Sequence, residues 1–426
     1  MSVKFSKKQV IIIIGGIVLV IAVFVLIFLG LQPKPNTGPS VTLTVWGTGD
    51  AAIGSTFASY PYGRINYVEV DAANYTSRLL SALAAGTGPD VFEINNRDLP
   101  KWKSVLAPLP TSSTQFGTLA LQSEFPDVVA QDFVSDGQIY GLPLSIDTLV
   151  MVYNKDLLNS AGIAVLPKTW NELDADVVKL RTVNAQGQLT QAAAAIGGSL
   201  ASIPYAPDLL SLLMLQNGTQ MTSGKNIATF AGQGGGATGI AAFNFYLQFA
   251  NAASPYYTWN DTMGNAIDSF VAGKTAIVFA YQSDLARIRA KAPFLNVGIA
   301  PVPQAEGASV AINYPNYNGF VAARAGQTAV AWNFILYLTT IPANAAAYQN
   351  ATGRPPALRA MIQGEASDPN LSVFALQALT ARSWYEADAA RTDAIFDVAI
   401  RNVLSGAKDP VKALTEAETS VSQLMR

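Results

Sequence analysis

The stretch that decides the fold is Tyr140–Leu158, YGLPLSIDTLVMVYNKDLL. After a Gly-Leu-Pro turn, the apolar and β-branched residues 149–153 predict a buried strand. The only charge before that strand ends at residue 154 is Asp147. A carboxylate at the mouth of a buried strand needs a partner, because burying it unpaired is costly. The sequence leaves two roles for Asp147 open. It could bind a ligand between two lobes, or it could have a structural role, either capping a helix or forming an ion pair.

This stretch also resembles the point at which the chain first crosses between lobes in bacterial extracellular solute-binding proteins of the maltose-binding-like type. The resemblance is carried by Pro143, Asp147, Leu149, YNKDLL at 153–158 and PKTWNEL at 167–173. Weaker matches continue through most of residues 41–426. The resemblance implies an α/β, bilobal periplasmic-binding-protein-like fold of the class II type, with two α/β lobes joined by a hinge. It also implies a binding protein rather than an enzyme.

Length and composition exclude several other classes. A chain of 426 residues is too long for one ordinary core and predicts more than one domain. Its net charge of −2 gives no electrostatic basis for binding nucleic acid. The chain contains no cysteine and no histidine, which excludes disulfides, thiol and imidazole catalysis, and most zinc sites. This composition leaves open a cation bound only by oxygen ligands. We nevertheless expect no cofactor and no metal.

The N-terminus predicts a membrane anchor. Residues 10–31 form an uncharged apolar run of about 22 residues, long enough to span a bilayer. Lys4, Lys7 and Lys8 precede it, so the positive-inside rule places residues 1–9 in the cytoplasm. The alternative, a cleaved signal peptide, lacks a good small-x-small site here. We expect a single-pass protein of the cell membrane, with residues 32–40 as a tether and the binding domain on the extracytoplasmic side.

The resemblance also implies how the chain divides between the lobes, because the family chain crosses the hinge three times. Residues 41–146 and 297–340 are expected to form the N-lobe, and residues 147–296 and 341–426 the C-lobe. The second crossing is placed at NVGIAP, residues 296–301, and the third at residues 341–347.

Several candidate binding residues follow predicted strands, because ligands of open α/β sheets bind at the carboxyl ends of the strands. Trp46 ends the first strand, where it either stacks on a ligand or closes the core. Asn95, Asn96 and Arg97 follow the third strand; their amides and guanidinium suit hydroxyls or a carboxylate, although a solvated loop is the alternative. Trp259 lies in an aromatic-rich stretch that suits a cleft wall.

The resemblance adds further candidates. Asp147 takes the family's acidic position, and Tyr205 stands near a family tyrosine that stacks on sugar, with helix-start packing as its alternative. Tyr281 and Gln282 follow a buried strand where the family often binds ligand. Trp384 and Tyr385 precede the penultimate helix, where sugar-binding members place a stacking ring.

This mixture of aromatic rings and hydroxyl-binding side chains favours a carbohydrate, because a sugar presents an apolar face and a rim of hydroxyls. The expected partners are a small-molecule solute, the transmembrane subunits of an ABC permease, and the membrane through the N-terminal helix. The same fold also binds peptides, polyamines and other organic solutes, and sensing without transport remains an alternative. A rival from another class is an anchored glycosidase that uses Asp147 with Asp50 or Asp98.

A glycine-rich stretch, AGQGGGATG at residues 231–239, resembles a dinucleotide-binding fingerprint. We reject that interpretation, because no acidic residue follows at the required distance of about 20 residues and no parallel βαβ unit follows.

Overall fold

The computed structural model describes residues 41–49, 53–111, 116–232 and 237–426. Among the described residues, the contacts place 41–42 with 60–64 in one unit and the others in a second unit. The strands are β1 Thr42–Gly47, β2 Arg64–Glu69, β3 Val91–Asn95, β4 Leu106–Ala107, β5 Val134–Ser135, β6 Gln138–Ile139, β7 Gly141–Pro143, β8 Asp147–Thr148, β9 Val150–Asn154, β10 Thr182–Val183, β11 Leu189–Ala194, β12 Thr222–Ser223, β13 Ile227–Ala228, β14 Thr275–Ala280, β15 Val297–Ala300, β16 Pro315–Asn316 and β17 Asn318–Ala323.

Helices alternate with these strands, as expected of an α/β fold. They are α1 Ile53–Phe57, α2 Tyr75–Ala84, α3 Leu99–Trp102, α4 Thr118–Glu124, α5 Asp127–Phe133, α6 Lys155–Ser160, α7 Trp170–Leu180, α8 Ala206–Gln216, α9 Ala237–Gln248, α10 Ala266–Val271, α11 Gln282–Lys291, α12 Thr328–Thr339, α13 Pro342–Thr352, α14 Arg359–Gly364, α15 Ser372–Ala378, α16 Ala389–Leu404 and α17 Pro410–Leu424. Short 3₁₀ turns cover Lys103–Val105, Asp261–Met263 and Glu365–Ser367.

The first sheet has the order β2-β1-β3-β17-β4, with β7 also paired to β17. Strands β1 and β3 are parallel, whereas β17 returns antiparallel to β3 from a point more than 200 residues later in the chain. Four of the five residues of β3 are buried, which explains why its sequence, VFEIN, is mostly apolar. The sheet therefore joins two distant pieces of the chain.

The second sheet has the order β10-β11-β14-β9-β15. Its strand β9 is the apolar part of the opening stretch and pairs antiparallel with β14 and β15. Strand β14 is buried along its whole length, so TAIVFA is apolar without alternation. The buried residues around this sheet, with those of α8, α9, α16 and α17, form one cluster that we call the second core.

Two segments differ from the predicted division into lobes. Strand β15, placed in the N-lobe, pairs with β9 in the second sheet. Helix α13, placed in the C-lobe, packs against α1 and α12, and α12 in turn packs on β17 of the first sheet. The reason is that strand pairing and helix packing decide these positions, whereas the resemblance indicated only where crossings occur along the sequence.

The predicted membrane anchor and tether, residues 10–31 and 32–40, lie outside the described residues. Among the helices that the structure describes, none is both long enough and apolar enough to cross a bilayer.

The helix after the PKTW segment begins with a capping box. The Thr169 hydroxyl accepts from the Glu172 N–H at 3.3 Å, and the Glu172 carboxylate accepts from the N–H of Thr169 at 3.1 Å. The Thr169→Ala variant should therefore lose about 1 kcal/mol of unfolding free energy, measured by urea titration. Thr415→Ala, on the exposed face of α17, is the control and should change stability by less than about 0.5 kcal/mol. Equal losses in the two variants would contradict a role for the cap.

Candidate functional site

A cavity of about 430 Å³ lies between the loop after β3, helix α5, the β12–β13 hairpin and the segment before α16. This volume falls in the range of small-molecule sites, roughly 300–1,000 Å³. The cavity is lined by Asn96, Arg97, Leu99, Pro100, Lys103, Gln131, Asp132, Val134, Ser135, Leu215, Met221, Thr222, Lys225, Ser383, Trp384, Tyr385 and Glu386. The first-sheet loop and elements of the second core thus face one another across it.

The aromatic wall is formed by Trp384 and Tyr385. The Trp384 ring packs against Phe230 and Phe396, with centroid distances of 6.3 and 6.1 Å. Its indole Nε1 is buried and has no hydrogen-bond partner among the described residues. The second core therefore holds Trp384 in place, while Tyr385 is only half-buried beside it.

A buried carboxylate, Asp132, lies on the polar wall. It accepts hydrogen bonds from Asn96 Nδ2 at 2.9 Å, from the Tyr317 hydroxyl at 2.7 Å and from the Ser383 hydroxyl. Burial raises the pKa of Asp132 to about 7, although these three donors act in the opposite direction. The bond to Ser383 joins α5 to the segment that carries the aromatic wall.

Behind this wall, Arg97 crosses from the first-sheet loop to the second core. Its Nε and Nη2 donate to Glu386 at 2.6 and 2.7 Å, and its Nη1 donates to Asp208 at 3.1 Å. Both terminal nitrogens also donate to Asp393, at 3.4 and 2.6 Å. All five N–H donors of the guanidinium are therefore used on three carboxylates. We call Arg97, Asp208, Glu386 and Asp393 the Arg97 cluster.

Burial changes the protonation of this cluster. It raises the pKa of Glu386 to about 7 and that of Asp208 to about 6, while the charge of Arg97 lowers both. The Tyr281 hydroxyl donates to Asp208 at 2.7 Å and helps to hold that carboxylate in place. The cluster is thus a hydrogen-bonded link between distant pieces of chain.

A family model described as "Bacterial extracellular solute-binding protein" matches residues 58–373, which is most of the chain. The chain belongs to this family. As a member of the solute-binding proteins it falls in a group of binding proteins rather than enzymes.

Curated relatives match shorter regions. The chain is 30% identical to the diacetylchitobiose-binding protein DasA of Streptomyces coelicolor over 145 residues, which is 32% of this chain and 33% of that protein. It is 25% identical over 253 residues to the sn-glycerol-3-phosphate-binding periplasmic protein UgpB of Yersinia pseudotuberculosis, covering 55% of this chain and 53% of that one. The first curated relatives, binding proteins of Brucella, are matched over 31% of their length.

Solved structures share the fold over nearly their whole length. The sugar-binding protein MalE of Xanthomonas citri superposes with a TM-score of 0.75 at 21% identity, covering 90% of this chain and 97% of that one. A cyclo/maltodextrin-binding protein, solved with maltotetraose, gives a TM-score of 0.72 at 19% identity, covering 91% and 98%. At this level of identity the likeness establishes the fold of this solute-binding protein and nothing about its ligand.

Four of the predicted binding residues line the cavity of the solute-binding protein: Asn96, Arg97, Trp384 and Tyr385. The structure brings together two candidates from the loop after β3 and two from the segment before α16. Arg97 touches the cavity but directs all its donors to carboxylates.

Asp147 does not line the cavity. Its carboxylate accepts from the backbone N–H groups of Thr148 at 2.8 Å and Gln282 at 3.1 Å, the second at the start of α11. Burial raises its pKa to about 7, and these backbone bonds oppose that rise. The structure therefore shows the helix-capping alternative for Asp147. Of the carboxylates considered for the rival glycosidase, Asp147 and Asp98 are not among the residues that line the cavity, and Asp50 lies outside the described residues.

Tyr205 and Tyr281 lie behind the cavity. Their rings meet edge to face with centroids 4.8 Å apart, and their hydroxyls donate to Asp284 and Asp208, each at 2.7 Å. The Gln282 side chain donates to the carbonyl of Gly353 at 2.9 Å. These three residues position carboxylates and loops rather than lining the cavity.

The remaining candidates lie elsewhere. Trp46 is half-buried beside α2, with the Arg78 guanidinium 5.7 Å from its ring centroid. Asn95 donates to the Asn316 side chain at 2.8 Å. Trp259 is fully buried in the second core and donates to the Ser202 hydroxyl at 3.0 Å. Its aromatic-rich stretch therefore supplies core packing, because the ring has a complete apolar surround and a satisfied N–H.

Sequence reasoning missed several cavity residues, notably Lys103, Gln131, Asp132, Lys225, Ser383 and Glu386. Ser383 and Glu386 flank the predicted Trp-Tyr pair, so their position next to it was an available signal. No sequence signal pointed to Asp132, because a single acidic residue in an amphipathic helix is normally solvated.

Proposed function

We propose that this protein captures an extracytoplasmic solute, a sugar or an oligosaccharide, in the cavity beside Trp384 and Tyr385. The observation that carries the proposal is the pairing of this aromatic wall with the amide, hydroxyl and carboxylate groups of Asn96, Ser383 and Asp132. Flat rings suit the C–H face of a sugar, and such polar groups pair with its hydroxyls. Relatives whose names specify a sugar ligand support the same class.

The wider role is delivery of the solute to an ABC permease, without chemical conversion. The protein is held at the cell membrane by residues 10–31, with the binding domain outside. Two lobes close on the solute by hinge motion, and the solute favours the closed state through its contacts with both sides.

A thermal-shift panel tests the ligand class. The full chain, purified in mild detergent, is screened against neutral and acidic oligosaccharides, peptides and polyamines. A ligand that binds only the folded state raises stability by about 2.7 kcal/mol at a hundredfold excess over Kd. We expect an oligosaccharide to raise the melting temperature. Shifts with peptides or amines alone would overturn the carbohydrate assignment.

The Tyr385→Ala variant tests the aromatic wall. Because Tyr385 is half-buried, its removal should spare the fold and weaken sugar affinity about tenfold, consistent with the loss of one stacking ring. Tyr256→Ala is the matched control, a half-buried tyrosine packed on the second core away from the cavity. Calorimetric titration of both variants measures the effect, and an unchanged Kd in Tyr385→Ala would place the sugar elsewhere.

A further inference from the structure

Two lysines meet at one place on the cavity wall. Lys103 lies in the 3₁₀ turn before β4 of the first sheet, and Lys225 lies in the turn between β12 and β13. Their Nζ atoms donate to the same Ser135 hydroxyl, at 2.9 and 3.1 Å. Both lysines and Ser135 line the cavity. Two ammonium groups carried by distant parts of the chain therefore converge where a solute would lie.

Their charge is only partly compensated. Asp136 accepts from both ammonium groups, so the group of three charges keeps one positive charge in excess. These lysines, Lys103 first, lower the pKa of Asp136 to about 2, so its carboxylate is ionised at neutral pH. Each ammonium has three donors, and contacts with described residues use two of them, on Ser135 and Asp136. One N–H of each lysine remains for a solute.

The other charged groups of the lining, Arg97, Glu386 and Asp132, already form hydrogen bonds within the protein. Glu386 pairs with Arg97 through two hydrogen bonds, and Asp132 accepts from Asn96, Tyr317 and Ser383. Arg97 has no N–H donor left, so Lys103 and Lys225 are the cations of the described lining that keep a donor for a solute. An anion placed there would contact both sides of the cavity at once, so its binding would also favour closure.

We propose that the solute is an acidic sugar, whose carboxylate or phosphate group binds Lys103 and Lys225 beside the aromatic wall. This inference rests on the proposed carbohydrate function and narrows it. Asp136 holds the two ammonium groups in place, and the anionic group of the solute would be a further acceptor for both of them.

Calorimetric titration of the full chain with glucose, glucuronate, glucose 6-phosphate and inorganic phosphate tests the inference. We expect at least one of the two acidic sugars to bind about three- to tenfold more tightly than glucose, the range of one or two charge-assisted bonds at an exposed site. The advantage should shrink as salt rises from about 0.05 to about 0.5 M, because Lys225 is exposed and Lys103 is partly exposed. Glucuronate and glucose 6-phosphate separate a carboxylate from a phosphate ester.

The Lys225→Met variant should lose most of the preference for acidic sugars, so that the ratio of the Kd for glucose to the Kd for each acidic sugar approaches one. Lys179→Met is the matched control: the side chains of both lysines are 56% exposed and each pairs with an aspartate, but Lys179 lies away from the cavity. Lys103→Met provides a second variant on the opposite side.

Three results would overturn the inference. Glucose that binds as tightly as both acidic sugars would refute the anionic class and leave the carbohydrate function standing. Inorganic phosphate that binds as tightly as glucose 6-phosphate would show a simple anion site with no sugar recognition. Amines or peptides as the only ligands in the thermal-shift panel would remove the carbohydrate function, and the acidic sugar with it.

Discussion

Replacing Arg97 with alanine is expected to lower the free energy of unfolding by about 3–5 kcal/mol at pH 8. The side chains of Arg97 and Glu386 are only 7% and 0% exposed, so removing the guanidinium leaves buried carboxylates without their cation. Asp208 loses the same partner, and Asp393, which is 30% exposed, loses two hydrogen bonds. Urea unfolding followed by circular dichroism measures the loss.

The loss should depend on pH. The pKa values of Glu386 and Asp208, raised by burial to about 7 and 6, lie above their ordinary values. A group with a raised pKa in the folded state contributes stability at low pH and loses it as the pH rises through that pKa. Without Arg97 these pKa values rise further, because its charge favoured ionisation. The difference in unfolding free energy between the variant and the parent should therefore be smaller at pH 5 than at pH 8.

Arg401→Ala is the control for this experiment. Arg401 also pairs with an aspartate, Asp397, but its side chain is 56% exposed, so its loss should cost less than about 1 kcal/mol. Two results would contradict this account of the Arg97 cluster. In the first, Arg97→Ala loses no more unfolding free energy than Arg401→Ala. In the second, the stability difference between Arg97→Ala and the parent grows towards pH 5.

Gly239→Ala is expected to destabilise the protein by about 3 kcal/mol, the upper part of the usual range for overpacking. Gly239 lies in the first turn of α9, where an added Cβ would stand 1.8 Å from the backbone carbonyl oxygen of Phe230. A side chain could turn aside, but the carbonyl of Phe230 can move only if the backbone of the turn after β13 moves with it. The cost exceeds the roughly 1 kcal/mol by which alanine improves on glycine in a helix.

Gly364→Ala is the matched control and should not destabilise the protein. Gly364 ends helix α14 and its added Cβ would meet no atom within 4 Å. This variant should be neutral or more stable by up to about 1 kcal/mol. Chemical denaturation of the two variants gives the comparison. An equal effect of both substitutions would show that helix propensity, rather than the close approach to Phe230, explains Gly239.

The rejected dinucleotide pattern contains this same glycine. In the sequence, AGQGGGATG offers a glycine run before a helix, and the structure shows that its last glycine permits close packing of α9 on the chain at Phe230. The part of the run at residues 233–236 lies outside the described residues. The last glycine of this motif is therefore explained by close packing, which the spacing of the glycines in the sequence does not indicate.

Much of the fold followed from local sequence. The apolar run in the opening stretch forms β9, and Thr169 and Glu172 form a capping box at the start of α7. The Asp-Gly pair at residues 136–137 has the positive φ angles typical of a tight hairpin turn, 53° and 74°. These features depend on neighbours within a few residues. The Trp384-Tyr385 pair, which lines the cavity, was instead implied by the resemblance to the family.

Only the tertiary structure decided what each polar candidate does. Arg97 meets Glu386, which lies 289 residues further along the chain, and Asp132 meets Ser383 at a separation of 251. Asp147 could pair with a ligand or cap a helix, and the approach of α11 gave it two backbone N–H groups. Sequence periodicity determines which side of an element is buried, whereas the partner of a buried charge depends on which distant elements fold against it.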